Sequence, residues 1–537
     1  MLRNTSYARI LAASIVSVAT LAIAYLPVAQ AQAKSKSREV AIGLQAAITS
    51  MDPHFHNLSP NNALSLHIFE PLIKRDENQK LAPALATSWK ALDDLTWEFK
   101  LRKNVRFHDG SPFTADDVVF TLKRVPDVPN SPSSFATFTK PIIEVKVVDP
   151  HTIIFKTATA HVLLPSDLAS VMIVSRLSDK ATTADYNSGK AAIGTGPYKF
   201  SEYVPNQRVV FTANYGYWGG EEPWEKVTYK MLTNSAARVA ALLSGDVQMI
   251  ETVPTADIAK LSKDKNYNLV DKVSNRVIYV HLNQSTEKSP PFVTDKAGKP
   301  LDKNPFRDVR VRKALTMAIN RDAIVDRVME KKAVAAAQLL PDFFYGTSKK
   351  LKPAKFDPEG AKKLLAEAGY PNGFAMTLHG PNNRYINDAN VVQALAQMYS
   401  RIGIDAKVET MPSAVYFTRA TKLEFGYMVL GWGTESGEQG SAMRSLLATY
   451  DQAKGMGVTN RGRYSNPAFD KVLSDALVTM DDKKRETMIQ QAAEMVMGDV
   501  GLIPLHYEVS TWAAAKNFKY TARTDQYTLA TGLKPLK

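Results

Sequence analysis

Two glutamates follow a glycine-rich stretch in the last quarter of the chain. The run Phe425–Leu430 has the composition of a strand and leads into Gly431-Trp432-Gly433-Thr434-Glu435-Ser436-Gly437-Glu438. A buried ammonium group needs a carboxylate beside it to offset its lost hydration. Glu435 or Glu438 could supply that carboxylate to a ligand. The alternative is that both are solvated loop residues.

Other residues offer the remaining groups that a ligand would need. Arg384, beside Tyr385, stands just before a predicted helix, and a guanidinium fits a carboxylate through two parallel hydrogen bonds. The alternative for Arg384 is a surface position at the start of that helix. Trp432 either stacks on a ligand or fills the interior. Gly433 and Thr434 are candidate ligand contacts beside it.

A His-x-His pair raises the question of a metal. His54 and His56 flank Phe55 in a loop near the start of the chain. Two imidazoles can bind a metal or a metal chelate, but the chain has 9 histidines and no cysteine to complete a coordination shell. Hydrogen bonding to a ligand and ordinary loop packing are the other interpretations. We predict neither a bound metal nor a cofactor.

The elements around that loop place it where α/β proteins bind ligands. Residues 38–43 have the pattern of a strand, and apolar residues at helical spacing follow between Asn61 and Leu72. Strand, loop and helix in this order put the loop at the carboxyl end of a strand, where open sheets bind ligands. Further patterns predict a mixed α/β chain. Strand-like runs lie at 96–101 and 151–156, and helical patterns lie at 302–330, 359–368, 389–401 and 466–497.

Length, charge and the first residues describe an exported globular protein. The chain has 537 residues, of which 45% are hydrophobic, and this length predicts two or three lobes. Arg3 and Arg9, an apolar run and two small-residue cleavage sites predict a signal peptide over residues 1–33. A retained membrane anchor is the alternative. The net charge is +14, but no lysine- and arginine-rich run with interleaved aromatics indicates nucleic-acid binding.

Five motifs occur in order along the mature chain, and several have scaffold roles of their own. Residues 108–112 form a turn, Thr114 and Asp117 cap the next helix, and the glycines of residues 194–197 allow a sharp turn. We therefore expect these motifs outside the ligand site. Together they resemble the peptide/nickel/opine class of extracellular solute-binding proteins, family 5, of ABC importers. The motifs are Leu81–Trp89 with Thr96–Arg102 and Val105–Val118, then Gly194–Tyr198, Asp308–Arg321, Leu364–Tyr370 and Arg463–Pro467.

The resemblance implies an α/β fold of two hinged lobes, the type II periplasmic-binding-protein fold, with an extra subdomain inserted in the first lobe. Such lobes close over a ligand by hinge motion, and the importer reads the closed form. The expected boundaries are a first lobe at 34–276 with the insertion at about 75–190, a second lobe at 277–505, a return of 506–537 to the first lobe, and crossings near Val277–Asn283 and Ile503–Val509.

The resemblance also implies capture of a small ligand, most simply a di- or oligopeptide, by a periplasmic monomer that delivers it to an ABC permease in the inner membrane. Similar peptide binders hold the peptide ammonium with an aspartate where this chain has Glu435 and Glu438. They hold the carboxylate with an arginine near Arg384. The missing aspartate keeps opines, sugars and metal chelates open as ligands.

Two other classes of function are weighed against ligand capture. A secreted hydrolase is disfavoured because no Gly-x-Ser-x-Gly, His-Glu-x-x-His or Ser-x-x-Lys arrangement with suitable partners stands out. A chaperone or surface adhesin would bind unfolded chains or anionic surfaces without saturable binding of a small ligand. We therefore predict a binding protein that is not an enzyme and has no nucleic-acid partner.

Overall fold

The described chain, residues 38–536 of a computed structural model, alternates short strands with short helices. The predicted signal peptide lies outside the described residues. The strands are β1 (Glu39–Leu44), β2 (Glu70–Pro71), β3 (Ile73–Arg75), β4 (Leu81–Pro83), β5 (Ala86–Asp93), β6 (Thr96–Leu101), β7 (Ile142–Asp149), β8 (Thr152–Thr157), β9 (Met172–Ile173), β10 (Tyr198–Val204), β11 (Arg208–Ala213), β12 (Lys226–Met231), β13 (Met249–Ile250), β14 (Tyr267–Leu282), β15 (Val293–Thr294), β16 (Ala333–Ala335), β17 (Ala375–Pro381), β18 (Asp405–Met411), β19 (Tyr427–Gly433), β20 (Ile503–Ala515), β21 (Phe518–Tyr520) and β22 (Leu533–Pro535).

The helices are concentrated in the second half of the chain, as predicted. None of those between residues 38 and 536 combines the length and hydropathy needed to cross a membrane. They are α1 (Ser59–Ile68), α2 (Ala115–Arg124), α3 (Ala136–Thr139), α4 (Leu164–Leu168), α5 (Thr183–Asn187), α6 (Ser235–Leu243), α7 (Thr255–Leu261), α8 (Val309–Met317), α9 (Arg321–Ala323), α10 (Pro358–Glu367), α11 (Asp388–Ser400), α12 (Ser413–Thr421), α13 (Gln439–Leu446), α14 (Pro467–Leu477) and α15 (Asp482–Gly498).

A 12-stranded mixed sheet runs through the whole molecule. Its strand order is β10-β11-β12-β1-β13-β20-β14-β19-β17-β15, with β16 on β20 and β18 on β17. The long antiparallel strands β14 and β20 join an N-terminal half of the sheet, β1 and β10 to β13, to a C-terminal half, β15 and β17 to β19. Their register breaks between Val273 and Val277, so residues 274–276 have no partner on β20. Such a bulge bends a strand and redirects its side chains.

Each half of the sheet buries a hydrophobic core of its own. On the N-terminal half, Ile42, Tyr229 and Trp512 belong to one buried cluster. On the C-terminal half, Leu378 and Val429 belong to another. Burial of one such side chain contributes about 1.5–3 kcal/mol, so each half has its own source of stability. Separate cores of this kind allow two halves to move relative to each other.

The inserted segment forms a further small sheet, β5-β6-β8-β7, over its own buried cluster. The predicted strand at 96–101 is confirmed as β6. The predicted cap of α2 is also confirmed, because the backbone N–H of Thr114 donates to the Asp117 carboxylate at 2.9 Å. Position 194 has no room for a side chain, because a Cβ on Gly194 would lie 2.0 Å from the carbonyl oxygen of Ile68. The motifs at 114–117 and 194–197 therefore brace the scaffold.

Candidate functional site

A cavity of about 850 Å³, here called the cleft, opens between the two halves of the sheet. Most of its wall comes from segments that follow the parallel strands β1, β12, β13 and β17. The carboxyl ends of parallel strands are the usual place for ligands in open α/β sheets. The lining includes Leu44–Ala46, Thr233–Ser235, Glu251–Thr255, Asn382–Asn390, residues of α1, Arg276, Glu508, Ser510, Trp512 and Gln526–Thr528.

Two glycines of β19 make room for side chains that line the cleft. A Cβ at Gly431 would lie 2.7 Å from Cε1 of Tyr385, and one at Gly433 would lie 3.2 Å from Nη2 of Arg276. Residues two apart on a strand face the same side of the sheet. Trp432 faces the other side and packs against the cluster that contains Leu446. The structure thus does not bring Trp432 to the cleft, and it makes 431–433 strand where the sequence predicts a loop.

Arg384 and Tyr385 line the cleft immediately before α11. The hydroxyl of Tyr385 donates to the carbonyl of Gly431 at 3.1 Å, and the backbone N–H groups of Arg384 and Tyr385 donate to the carboxylate of Asp388. The Arg384 guanidinium lies 5.4 Å from the centre of the Tyr385 ring. The charge of Arg276, together with burial, lowers the pKa of Arg384. Within residues 38–536 this guanidinium has no hydrogen bond or ion pair.

Glu435 is a half-buried carboxylate that is not among the residues lining the cleft, although its charge acts on one of them. Nε2 of Gln79 donates to the carbonyl oxygens of Thr434 and Glu435, at 3.1 and 3.0 Å, and so fixes the backbone. Burial raises the pKa of Glu435, and the positive charge of Arg75 opposes that rise. Burial and then the negative charge of Glu435 raise the pKa of Tyr527, which lines the cleft. No ion pair of Glu435 occurs in the described part of the chain.

Glu438 has a different environment three residues later. Its Oε1 lies 2.6 Å from Nη1 of Arg485, and each of the two side chains is only 7% exposed. Arg485 also lies 4.4 Å from the centre of the Tyr345 ring. Glu438 is therefore committed to a structural ion pair and does not line the cleft. It lines another cavity of about 950 Å³, here called the second cavity, together with Phe343 and Tyr345.

The structure does not bring His54 to either cavity. Its Nε2 lies 2.8 Å from the carbonyl oxygen of Met172, so Nε2 carries the proton, and its Nδ1 accepts from Arg124 at 2.8 Å. Arg124 also pairs with Asp52 at 2.6 Å. Burial lowers the pKa of His54 to about 4. The imidazole is thus a neutral, fully bonded part of the scaffold.

Phe55 and His56 tie the same loop to the inserted segment. The carbonyl of Phe55 accepts a hydrogen bond from Ser131 at 2.6 Å, and Nδ1 of His56 lies 2.9 Å from Oγ1 of Thr49. Neither Phe55 nor His56 lines the cleft. Across residues 38–536 no group of three or more histidine, aspartate or glutamate side chains is arranged to hold a metal ion.

Three cleft residues were not singled out from the sequence. Nε of Arg276 donates to Oε1 of Gln526 at 2.9 Å and lies 3.4 Å from Oε2 of Glu508. Nε2 of Gln526 donates to the same carboxylate at 3.1 Å. The three residues come from segments far apart in the sequence, so no local spacing reports them. The available signal was an arginine directly before the apolar run Val277–Val280.

The two halves also touch across the cleft. Nδ2 of Asn387, before α11, donates to Oγ1 of Thr255, at the start of α7, at 3.0 Å. The same amide donates to the carbonyl of Val328 at 2.8 Å. Asn387 has a φ of 54°, a left-handed conformation that asparagine tolerates better than most residues. This contact joins the two walls of the cavity.

Comparison with known proteins gives a consistent result. A model of the bacterial extracellular solute-binding proteins, family 5 Middle, matches residues 80–454. The chain is 29% identical to the dipeptide-binding protein of Escherichia coli K12 over 470 residues, which cover 82% of this chain and 83% of the relative. It is 28% identical to heme-binding protein A of Haemophilus influenzae over 485 residues, 83% of each chain.

The fold is that of the two-lobed periplasmic binding proteins. The periplasmic binding protein DppA of Helicobacter pylori, solved in complex with the peptide STSA, superposes with a TM-score of 0.76 at 24% identity. The match covers 93% of this chain and 98% of that protein. The family model spans more than half of the chain. This chain therefore belongs to family 5 of the bacterial extracellular solute-binding proteins.

Proposed function

We propose that this protein is the substrate-binding component of an ABC import system. As a periplasmic monomer without catalytic activity, it captures a short peptide between its two lobes and delivers it to a permease in the inner membrane. The family membership supports solute capture. A dipeptide-binding relative and a similar structure that holds the peptide STSA support the ligand class.

We assign the lobes to the two halves of the sheet. The bulge at residues 274–276 separates the part of β14 that pairs with residues 509–515 from the part that pairs with 503–507. The proposed lobes are therefore residues 39–273 with 509–536 and residues 277–507. Closure about this bulge would bring Thr255 and Asn387 together over the ligand, as in their hydrogen bond at 3.0 Å.

One observation carries the peptide assignment: the wall of the cleft holds the guanidinium of Arg384, the carboxylate of Glu435 lies beside that wall, and the described chain gives neither an ion pair. Within residues 38–536 Glu435 has a side-chain hydrogen bond with Asn62 but no ion pair, and burial raises its pKa. The Arg384 guanidinium lies over the Tyr385 ring. A free peptide carries an ammonium group at one end and a carboxylate at the other, and it would neutralise both residues. Main-chain recognition of this kind leaves ligand side chains free and gives broad specificity.

Two measurements test this proposal. Mass spectrometry of the natively purified protein identifies what it retains, and we expect short peptides. Thermal unfolding with di- and tripeptides should show a concentration-dependent rise in Tm, because a ligand present at a hundred times its Kd stabilises the folded state by about 2.7 kcal/mol. If an opine, sugar or metal chelate raises Tm and no peptide does, the peptide assignment is wrong. Hydrolysis of the peptides by the protein would overturn the non-catalytic role.

A further inference from the structure

We propose that Arg276 makes the cleft selective for ligands with two acidic groups at the end that Arg384 binds. This inference rests on the peptide-binding function proposed above. For a peptide, the matching chemistry is a C-terminal glutamate or aspartate, which adds a side-chain carboxylate to the terminal one. The preference would belong to this chain's own arrangement of arginines around the cleft.

The backbone aims Arg276 at the cleft. Arg276 lies in the bulge of β14, without a partner on β20, and on β19 it faces Gly433. Gly433 has no side chain, and a Cβ there would lie only 3.2 Å from Nη2 of Arg276. The glycine therefore leaves the space that the guanidinium occupies. Arg276 is one of the residues that line the cavity.

The guanidinium of Arg276 is held at one atom only. Its Nε donates to Gln526, whose own amide is fixed by hydrogen bonds to Glu508 and Ser510. The terminal nitrogens Nη1 and Nη2 have no hydrogen bond within the described chain. A side chain anchored in this way has lost much of its freedom before a ligand arrives, which lowers the entropic cost of binding.

A third arginine of the same cavity shows the contrast. Arg238 donates from Nε, Nη1 and Nη2 to the carbonyl oxygens of Glu251, Leu232 and Thr252, at 3.1, 2.7 and 2.9 Å. All three nitrogens of its guanidinium therefore hold the backbone around the cleft. Arg276 lines the same cavity with its two outer nitrogens free of such bonds. The two arginines therefore have different roles.

Arg276 and Arg384 form a pair of like charges on one wall. They lie 6.0 and 5.4 Å from the centre of the same Tyr385 ring. The nearby acids do not pair with Arg384, because Asp388 accepts backbone N–H groups, and Glu508 accepts from Ile386 and Gln526 and lies 3.4 Å from Nε of Arg276. Like charges in a partly dehydrated wall repel each other. Glu508 offsets part of this charge through Nε of Arg276. The free Nη1 and Nη2 of Arg276 still offer two donors to a second ligand carboxylate beside the one that Arg384 binds.

Matched peptides test the inference by isothermal titration calorimetry. Ala-Glu is compared with Ala-Gln, and Ala-Ala-Glu with Ala-Ala-Gln, on the wild-type protein and on Arg276→Gln. We expect the wild type to bind the acidic peptide of each pair at least about tenfold more tightly, which corresponds to about 1.4 kcal/mol. In Arg276→Gln the preference should fall to within about twofold, while the glutamine peptides still bind.

Further variants control for charge and folding. Arg401→Gln removes a positive charge at the far end of α11, where the residue is exposed, and it should keep the wild-type preference. Arg276→Lys keeps the charge and should retain part of it. Equal binding of both peptides by the wild type overturns the inference, as does a preference that survives in Arg276→Gln. If neither peptide of either pair binds the wild type, the peptide function fails, and the inference fails with it.

Discussion

The cleft and the second cavity are similar in volume, about 850 and 950 Å³. Two glutamates of one eight-residue segment are near them: Glu438 lines the second cavity, and Glu435 acts on Tyr527 in the wall of the cleft. They differ in how the charges are used. At the second cavity the buried carboxylate of Glu438 is bonded to Arg485 at 2.6 Å. At the cleft, the described residues give neither Glu435 nor Arg384 an ion-pair partner.

This difference shows why volume alone does not identify a binding site. A buried pair such as Glu438 and Arg485 has already offset its dehydration, and a charged ligand would gain little by disturbing it. An unpaired buried carboxylate has a residual cost, which a ligand ammonium removes on binding. The cleft, although the smaller cavity, is therefore the better candidate for the ligand site.

The largest effect is expected at Glu435. Glu435→Gln should raise the Kd of trialanine by thirtyfold or more, because loss of one partner of a dehydrated charge pair costs about 2–5 kcal/mol. Calorimetric titration measures this change. Glu486→Gln, in the wall of the second cavity, removes the same charge and should leave Kd within twofold. A change below about threefold in Glu435→Gln would remove this residue from the site.

Glu438→Gln should act on stability and leave binding intact. It leaves Arg485 buried beside a neutral amide, so the free energy of unfolding should fall by about 3 kcal/mol. Denaturant unfolding measures that loss, and calorimetry should show an unchanged Kd for trialanine. The double variant Glu438→Met with Arg485→Met removes both charges and should recover most of the stability. Loss of binding with unchanged stability in Glu438→Gln would show that Glu438 binds the ligand and is not needed for stability.

The pH dependence of binding should follow Glu435. Burial raises the pKa of this carboxyl above its ordinary value, and only the ionised form can pair with an ammonium group. Affinity should therefore be highest between this pKa and that of the ligand's ammonium group, about 8, and fall by up to about tenfold per unit as the pH drops through the pKa of Glu435. Ligand binding stabilises the ionised form, so it should release protons in that range. Calorimetry in two buffers of different ionisation enthalpy measures the release, which Glu435→Gln should abolish.

The smallest effect is expected at the exposed aromatic of the second cavity. Phe343 is 56% exposed, and its ring centre lies 4.6 Å from that of Phe344 with the two rings tilted by 33°. Phe343→Ser should change the Kd of di- and tripeptides by less than twofold, because these ligands occupy the cleft. A tenfold loss in the same titration would show that the ligand extends into the second cavity.

Local patterns in the sequence predicted much of the fold but misplaced elements that depend on distant partners. The helix predicted at 61–72 ends at Ile68, because Glu70 and Pro71 pair with Ile173 and Met172. The loop predicted at 431–433 is strand, because it pairs with residues 276–278 of β14, and its glycines leave room for Tyr385 and Arg276. Neither partner stands near the affected segment in the sequence. Periodicity therefore could not report these contacts.

The candidate site shows the same division. Arg384 lies in the wall of the cleft, and Glu435 is near Tyr527 of that wall without lining the cavity. Their role in binding a ligand stays a prediction. Glu438 and His54 are equally suited by type to bind a ligand. However, Arg485 pairs with Glu438, and Arg124 donates a hydrogen bond to His54. Residue type shows what a side chain can bind. Only the three-dimensional structure shows whether another part of the chain has bound it first.

One titration tests the central claim that the cleft recognises both ends of a short peptide. Trialanine, N-acetyl-trialanine and trialanine amide differ only in whether the ammonium or the carboxylate is present. We predict that trialanine binds the wild-type protein and that each blocked peptide binds at least about thirtyfold more weakly, a loss of about 2 kcal/mol. The acetylated peptide should lose no further affinity in Glu435→Gln, nor the amide in Arg384→Ala. Equal binding of all three peptides by the wild type would contradict the account.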